Sequence, residues 1–132
     1  LPNIKASSQL GSFGPQGILS SIQPGWHAEK NPKYPQTINI DFHETKSLAY
    51  IGLLPQDENS SRMPKSIRIK VSNDGKSWVT VATSDDVCVA NASNGWHNVK
   101  LPNQVKARFF EIEILANCGD PNFLTLRGLK IE

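Results

Sequence analysis

Cysteine is scarce in this chain, with two among 132 residues; methionine occurs once, and aromatic residues make up only 8%. Two cysteines are too few for a disulfide-framework miniprotein or a cysteine-rich zinc site. No apolar run approaches the roughly twenty residues that a spanning helix needs, and no signal-peptide pattern is present. An excess of one charge is missing too: 14 Lys and Arg face 12 Asp and Glu, a net charge of +2 spread along the whole chain. A nucleic-acid partner is therefore not expected. Enzyme signatures are absent as well. There is no Gly-x-Ser-x-Gly elbow and no phosphate-binding glycine loop, and His27, His43 and His97 stand in no metal-ligand spacing. The acid pairs Asp57-Glu58 and Asp85-Asp86 fall in polar stretches, where solvated charge is the default. No catalytic residue, and so no enzyme, is expected. The length suits a single domain over residues 1–132, and a chain opening Leu1-Pro2 reads as a module excised from a larger protein.

What the chain does have is strict alternation. Ile38, Ile40 and Phe42 interleave with Asn39 and Asp41, and Ile67, Ile69 and Val71 with Arg68 and Lys70, which is the two-residue period of half-buried strands. The same pattern predicts strands near 4–8, 37–42, 47–54, 66–72, 77–83, 96–101, 107–115 and 124–132. Helical periodicity is not sustained anywhere, so the expected fold is an all-β antiparallel sandwich of about eight strands. Asn73-Asp74-Gly75 predicts a hairpin between 66–72 and 77–83. Leu124 and Leu126 keep one phase and Leu129 and Ile131 the other, so a β-bulge is expected at Arg127-Gly128. Trp26, Trp78 and Trp96 are expected in or at the base of the core, His43 in a solvated turn, and His97 in a structural hydrogen bond. With successive strands antiparallel, the long connections 12–36, 54–66, 84–95 and 116–123 fall at one end, and the short ones at the other. Binding residues belong on the long-loop end.

Several segments resemble the discoidin family, the coagulation factor V/VIII C-type domains, and within it the family 32 carbohydrate-binding modules. They are Trp26-His27, Ile38-Asn39-Ile40-Asp41-Phe42, Ile51-Gly52-Leu53-Leu54-Pro55, Val71-Ser72-Asn73-Asp74-Gly75-Lys76-Ser77-Trp78, Gly95-Trp96-His97 and the closing strands around 107–112 and 126–131. The resemblance implies a jelly-roll, galactose-binding-domain-like sandwich that acts as a non-catalytic, lectin-like accessory module, holding a parent enzyme or surface protein against glycans. It implies a secreted, periplasmic or cell-surface location. It also implies a sugar site in the loops, with a His after the first-loop Trp, an Arg after Leu-Pro, polar residues beyond it and an aromatic in the last long loop. Carried over, His27 and Phe123 take the first and last roles. Gln56 stands at the Arg position, with Asn59 and Arg62 following, and Tyr34 substitutes for a second stacking ring where this chain has Lys30. On the residues alone, His27 either meets a sugar or braces its own loop, and Phe123 either stacks on a pyranose or starts the last strand and plugs the core.

Many family members hold a structural calcium near the first loop. Here that stretch reads Leu19-Ser20-Ser21-Ile22-Gln23-Pro24-Gly25, and Gly128 replaces the closing-strand Glu, so no metal cofactor is expected. The alternative function is a discoidin domain that binds a protein partner or phospholipid head groups. A membrane is the weaker choice, because only Ile22 and Met63 offer apolar spikes and acids share their end. Cys88 and Cys118 lie in two of the long loops. In an exporting compartment they either form a bridge closing a loop of about thirty residues or stay separate thiols.

Overall fold

A computed structural model describes residues 1–56, 60–89, 92–93 and 95–132. Its strands are β1 (Asn3–Ala6), β2 (Trp26–His27), β3 (Gln36–Leu54), β4 (Pro64–Ser72), β5 (Val79–Ser84), β6 (Ala92–Ser93), β7 (Trp96–Asn117), β8 (Thr125–Leu126) and β9 (Gly128–Ile131). Single 3-10 turns occur at Ile18–Ser20, Ser60–Arg62 and Val87–Val89. Every pairing is antiparallel.

The architecture is the expected jelly-roll sandwich, but its strands divide differently: β2 and β6 are additional, 124–132 is split into β8 and β9, and two pairs of expected strands are fused. The segments 37–42 and 47–54 form one strand, β3, and 96–101 and 107–115 form another, β7. Pairing continues through the intended turns: Lys46, Ser47 and Leu48 face Ala107, Lys106 and Val105, while the register shifts between Asp41 and Lys46 and again between Leu48 and Tyr50. A register shift bends a strand without ending it, and His43 takes up the bend with a left-handed φ of 63°.

The two long strands therefore contribute to both layers. One layer runs β1, the first half of β3, the second half of β7, β4, β5; the other runs β6, the first half of β7, the second half of β3, β9. Alternation fills the space between them: Ile38 and Ile40 from one half of β3 and Ile51 and Leu53 from the other are fully buried, as are Ile69, Phe110 and Ile112.

The tryptophans divide differently from the expectation. Trp26 is fully buried and its Nε1–H donates to the Ser8 carbonyl at 2.8 Å. Trp78 stands outside the core, half-buried and edge-on to Phe109 with ring centroids 6.5 Å apart. Trp96 is half-buried on the outer face of its layer, because the inward positions of that stretch are His97 and Val99. His97 makes a structural hydrogen bond, Nδ1 to the Val87 carbonyl at 2.9 Å.

The β4–β5 turn is organised by Asp74, whose Oδ1 accepts the backbone N–H groups of Lys76 and Ser77 at 2.8 Å each, with Gly75 at φ +76°. At the C-terminal end the change of phase falls at Arg127, but in place of the expected β-bulge the strand ends there and a new one starts with another partner. β8 pairs with β2, whereas β9 pairs with β3.

Candidate functional site

The four long loops meet at one end of the sandwich. Asn31 N–H donates to the Asn122 carbonyl at 2.8 Å, Asp120 N–H to Ser61 at 3.1 Å and Cys118 N–H to Met63 at 3.0 Å. Cys88 and Cys118 are joined by a disulfide, their Cα atoms 6.0 Å apart, which ties the Val87–Val89 turn to the end of β7.

The last loop is held by its own polar side chains. Asn117 Nδ2 donates to the carbonyls of Asp120 and Phe123 at 2.7 Å each. Asp120 Oδ1 accepts the N–H groups of Asn122 and Phe123 at 2.9 and 2.8 Å, and Oδ2 faces Arg62 Nε at 3.3 Å. The backbone donors, joined by Arg62, hold the Asp120 carboxyl below its ordinary range. Arg62 also lies over the Phe123 ring, 4.8 Å from its centroid, in cation–π range. Phe123 is half-buried and precedes β8, outside the core.

His27 sits on β2 opposite Thr125 of β8. It is 8% exposed, and the Phe13 ring packs on it with centroids 4.6 Å apart. Burial lowers the imidazole pKa, a backbone hydrogen bond to Pro24 opposes that, and the charge of Arg62 lowers it further. Proline offers only a carbonyl, so the ring donates there. Nε2 is buried with no hydrogen-bond partner, which makes it an unprotonated acceptor in the neutral imidazole. Gln56 Oε1 and Thr125 Oγ1 are the other buried side-chain atoms without a hydrogen-bond partner among the described residues. Gln56 stands two residues after Leu54, whose carbonyl accepts Arg127 N–H at 3.0 Å, so its segment starts beside the junction of β8 and β9. Tyr34 is 37% exposed, and burial and the nearby Asp120 charge push its phenol pKa up.

The structure thus joins Arg62 to Asp120 by an ion pair and to Phe123 by a ring contact, with the Arg62 charge acting on His27 and the Asp120 charge on Tyr34; Gln56 lies just beyond the end of β3. Asn59, with Asp57 and Glu58, lies outside the described residues. Sequence reading missed Phe13, Asp120 and Thr125. Asp120 carried a signal in its Asp-Pro turn; Phe13 and Thr125 carried none, since cross-strand pairing and loop return alone bring them to His27. Met63, read as an apolar spike, is 1% exposed and belongs to the core. Ile22 and Val89, at 60% and 78% exposed, are apolar side chains that protrude from these loops.

The residues near the first loop do not fit calcium. The Ser21 carbonyl, an oxygen such an ion would use, accepts Arg127 Nε–H at 3.1 Å, so a guanidinium stands where carboxylates would be needed. Gly128 packs against Ser21 Oγ and the Trp96 ring. Among the described residues no group of three or more His, Cys, Asp or Glu side chains gathers to hold a metal.

The F5/8 type C domain family model matches residues 3–126. The chain belongs to the F5/8 type C domain family. No curated protein matches it by sequence. Among solved structures it is similar to the family 32 carbohydrate-binding module of NanJ from Clostridium perfringens in complex with galactose (16% identity, 98% of this chain and 92% of that one, TM-score 0.79). It is also similar to a C. perfringens module, CpGH89CBM32-5, in complex with GalNAc-β-1,3-galactose (18%, 97% and 92%, TM-score 0.78). A third likeness is to the C-terminal domain of a Bacteroides fragilis chitobiase (19%, 99% and 92%, TM-score 0.79). At these identities the likeness establishes the fold.

Proposed function

We propose that this domain is a non-catalytic carbohydrate-binding module of an exported or cell-surface protein, and that its long-loop end holds one sugar of a glycan. The observation that carries the reading is the cluster in which Arg62 pairs with Asp120 and lies over Phe123, with the Arg62 charge acting on His27 and the Asp120 charge on Tyr34. It accords with the galactose and GalNAc-β-1,3-galactose bound in two of the similar structures. A pyranose presents hydroxyls and one apolar C–H face. Arg62 has further N–H donors beyond the Nε given to Asp120, Tyr34 and Gln56 supply a hydroxyl and an amide, and Asn59 is assigned with them from its place in the chain. Arg62 covers one face of Phe123, so the sugar stacks on the other. His27 lies below the surface, under Phe13, and acts as an acceptor floor through Nε2 instead of as an exposed donor.

A single sugar in so shallow a site binds with a Kd of about 0.1–1 mM, and useful avidity comes from repeated modules or multivalent glycans. Titration calorimetry with galactose, N-acetylglucosamine, mannose and fucose derivatives tests the reading. Phe123→Ala is expected to weaken the best ligand by about 1–3 kcal/mol through lost stacking and buried area. Undiminished affinity in folded Phe123→Ala and His27→Ala variants moves the site elsewhere. An empty sugar panel with binding to phosphatidylserine vesicles selects the phospholipid alternative, and an empty panel with no vesicle binding leaves a protein partner.

A further inference from the structure

The outer face of the β7–β3–β9 layer carries a second arrangement of binding groups, built on strand positions and not on the loop residues described above. Register places Asn98, Gly52 and Lys130 in one row across the three strands. Lys100 and Tyr50 are partners in the next row, which Glu132 completes, its N–H donating to the Tyr50 carbonyl at 3.0 Å. The alternate positions His97, Val99, Ile51, Leu53 and Leu129 point inward and are buried, so these rows face out.

Two glycines shape the surface. A Cβ on Gly52 would stand 3.2 Å from Trp96 Cε3, and one on Gly128 would stand 2.9 Å from Trp96 Cη2. The indole therefore lies along the sheet over positions that only glycine leaves open, and Lys130 Nζ sits 4.3 Å from its ring centroid. Beside it is a depression of ≈ 200 Å³ lined by Tyr50, Gly52, Asn98, Lys130 and Glu132. Lys130 and Glu132 also border a second depression, of ≈ 360 Å³, on the Trp96 side. At about 30 Å³ per water, the smaller one has the space of about six or seven waters, enough for a pyranose ring.

We propose that this face is a second saccharide-binding surface, and that it takes an uncharged, polyhydroxylated glycan chain crossing β9. Complementarity selects that occupant. Lys130 and Glu132 put opposite charges in one trough, so an ion of either sign meets a like charge, whereas each sugar hydroxyl both donates and accepts. The ring of Tyr50, 45% exposed, offers an apolar surface to a C–H face. Adjoining depressions sharing two lining residues suit consecutive sugar units more than an isolated one. The inference rests on the glycan reading of the module, but not on the loop-end site.

The test is amide-resolved NMR titration of the folded domain with galactose, N-acetylglucosamine and their β-linked tetrasaccharides, on wild type, Phe123→Ala, Tyr50→Ala and Glu132→Gln. Expected are shifts at Tyr50, Gly52, Asn98 and Lys130 with their own midpoint, lower for a tetrasaccharide than for its monosaccharide. These shifts persist in Phe123→Ala, and their midpoint weakens about tenfold in Tyr50→Ala. Shifts confined to the loop end, or face shifts that disappear with Phe123, overturn this surface and leave the loop-end site standing. Face shifts without loop-end shifts overturn the loop-end reading alone, and no shifts at all overturn both. Shifts of the same amides with protein concentration and no sugar assign the face to a second copy of the chain.

Discussion

Replacing both Cys88 and Cys118 with serine removes the covalent tie between the Val87–Val89 turn and the loop that carries Asp120 and Phe123. The bridge spans a sequence separation of 30, and the chain-entropy relation for a loop of that size gives about 3.6 kcal/mol of lost stability at 25 °C. With an unfolding entropy of about 2.1 cal/mol/K per residue over the 132 residues, that loss lowers Tm by about 13 °C. Guanidinium unfolding followed by tryptophan fluorescence, with the oxidised wild type as reference, measures the difference directly. The variant should also show a larger m-value, because its unfolded chain exposes more surface once the cross-link is gone. A loosened Asp120–Phe123 loop must then be ordered by the ligand, so any sugar held at the loop end should bind about three- to tenfold more weakly. A stability loss below about 1 kcal/mol, with unchanged m-value, would falsify the constraint argument and mean that the hydrogen bonds of Cys118, Asn117 and Asp120 hold the loop by themselves.

Gly25→Ala should cost about 1–3 kcal/mol from backbone strain alone, and more from collision, since φ is +80° and the new Cβ would meet the Arg127 backbone at 2.5 Å; thermal melts check this. His27 is held neutral, with a folded pKa below its ordinary 6.5. The unfolded chain therefore takes up its proton first, and stability should fall as pH drops below about 6.5 and level off below the folded pKa; His27→Gln should flatten that part of a pH-dependent denaturation series. The Asp41 carboxyl, bonded by Arg108 and lowered to about 2, and Asp120, lowered chiefly by backbone donors, work in the other window. Their stabilisation is complete above their ordinary value and is lost as pH falls from there towards the folded pKa, so Asp41→Asn should blunt acid unfolding below about pH 4.

The alternation in 37–42 and 66–72, the Asp-Gly turn and the phase change near Arg127 were legible in the residues because a strand buried on one face writes its period into the chain. The gathering of the long loops at one end followed from counting strand directions. His27, Arg62 and Phe123 were visible as candidates only through family resemblance. No local pattern states that Asp120 pairs with Arg62 or that Phe13 packs on His27, since those partners are remote in sequence.

The chain by itself determined the class of fold, the strand pattern and the half of the sandwich to search, because burial periodicity and turn chemistry are local properties. Tertiary structure decided how the strands were used. Register shifts within β3 and β7 turned four expected strands into two bent ones, and the partner change at Arg127 carried the last segment from β2 to β3. It also decided which rings are available. Trp26 enters the core while Trp96 lies outside over two glycines, since the face a residue occupies depends on which strand lies beside it. Charge state and access followed the same rule: burial and then the Arg62 charge lower the His27 pKa against the opposing Pro24 hydrogen bond, while the Phe13 ring packs on the imidazole, and only folding brings these groups to it.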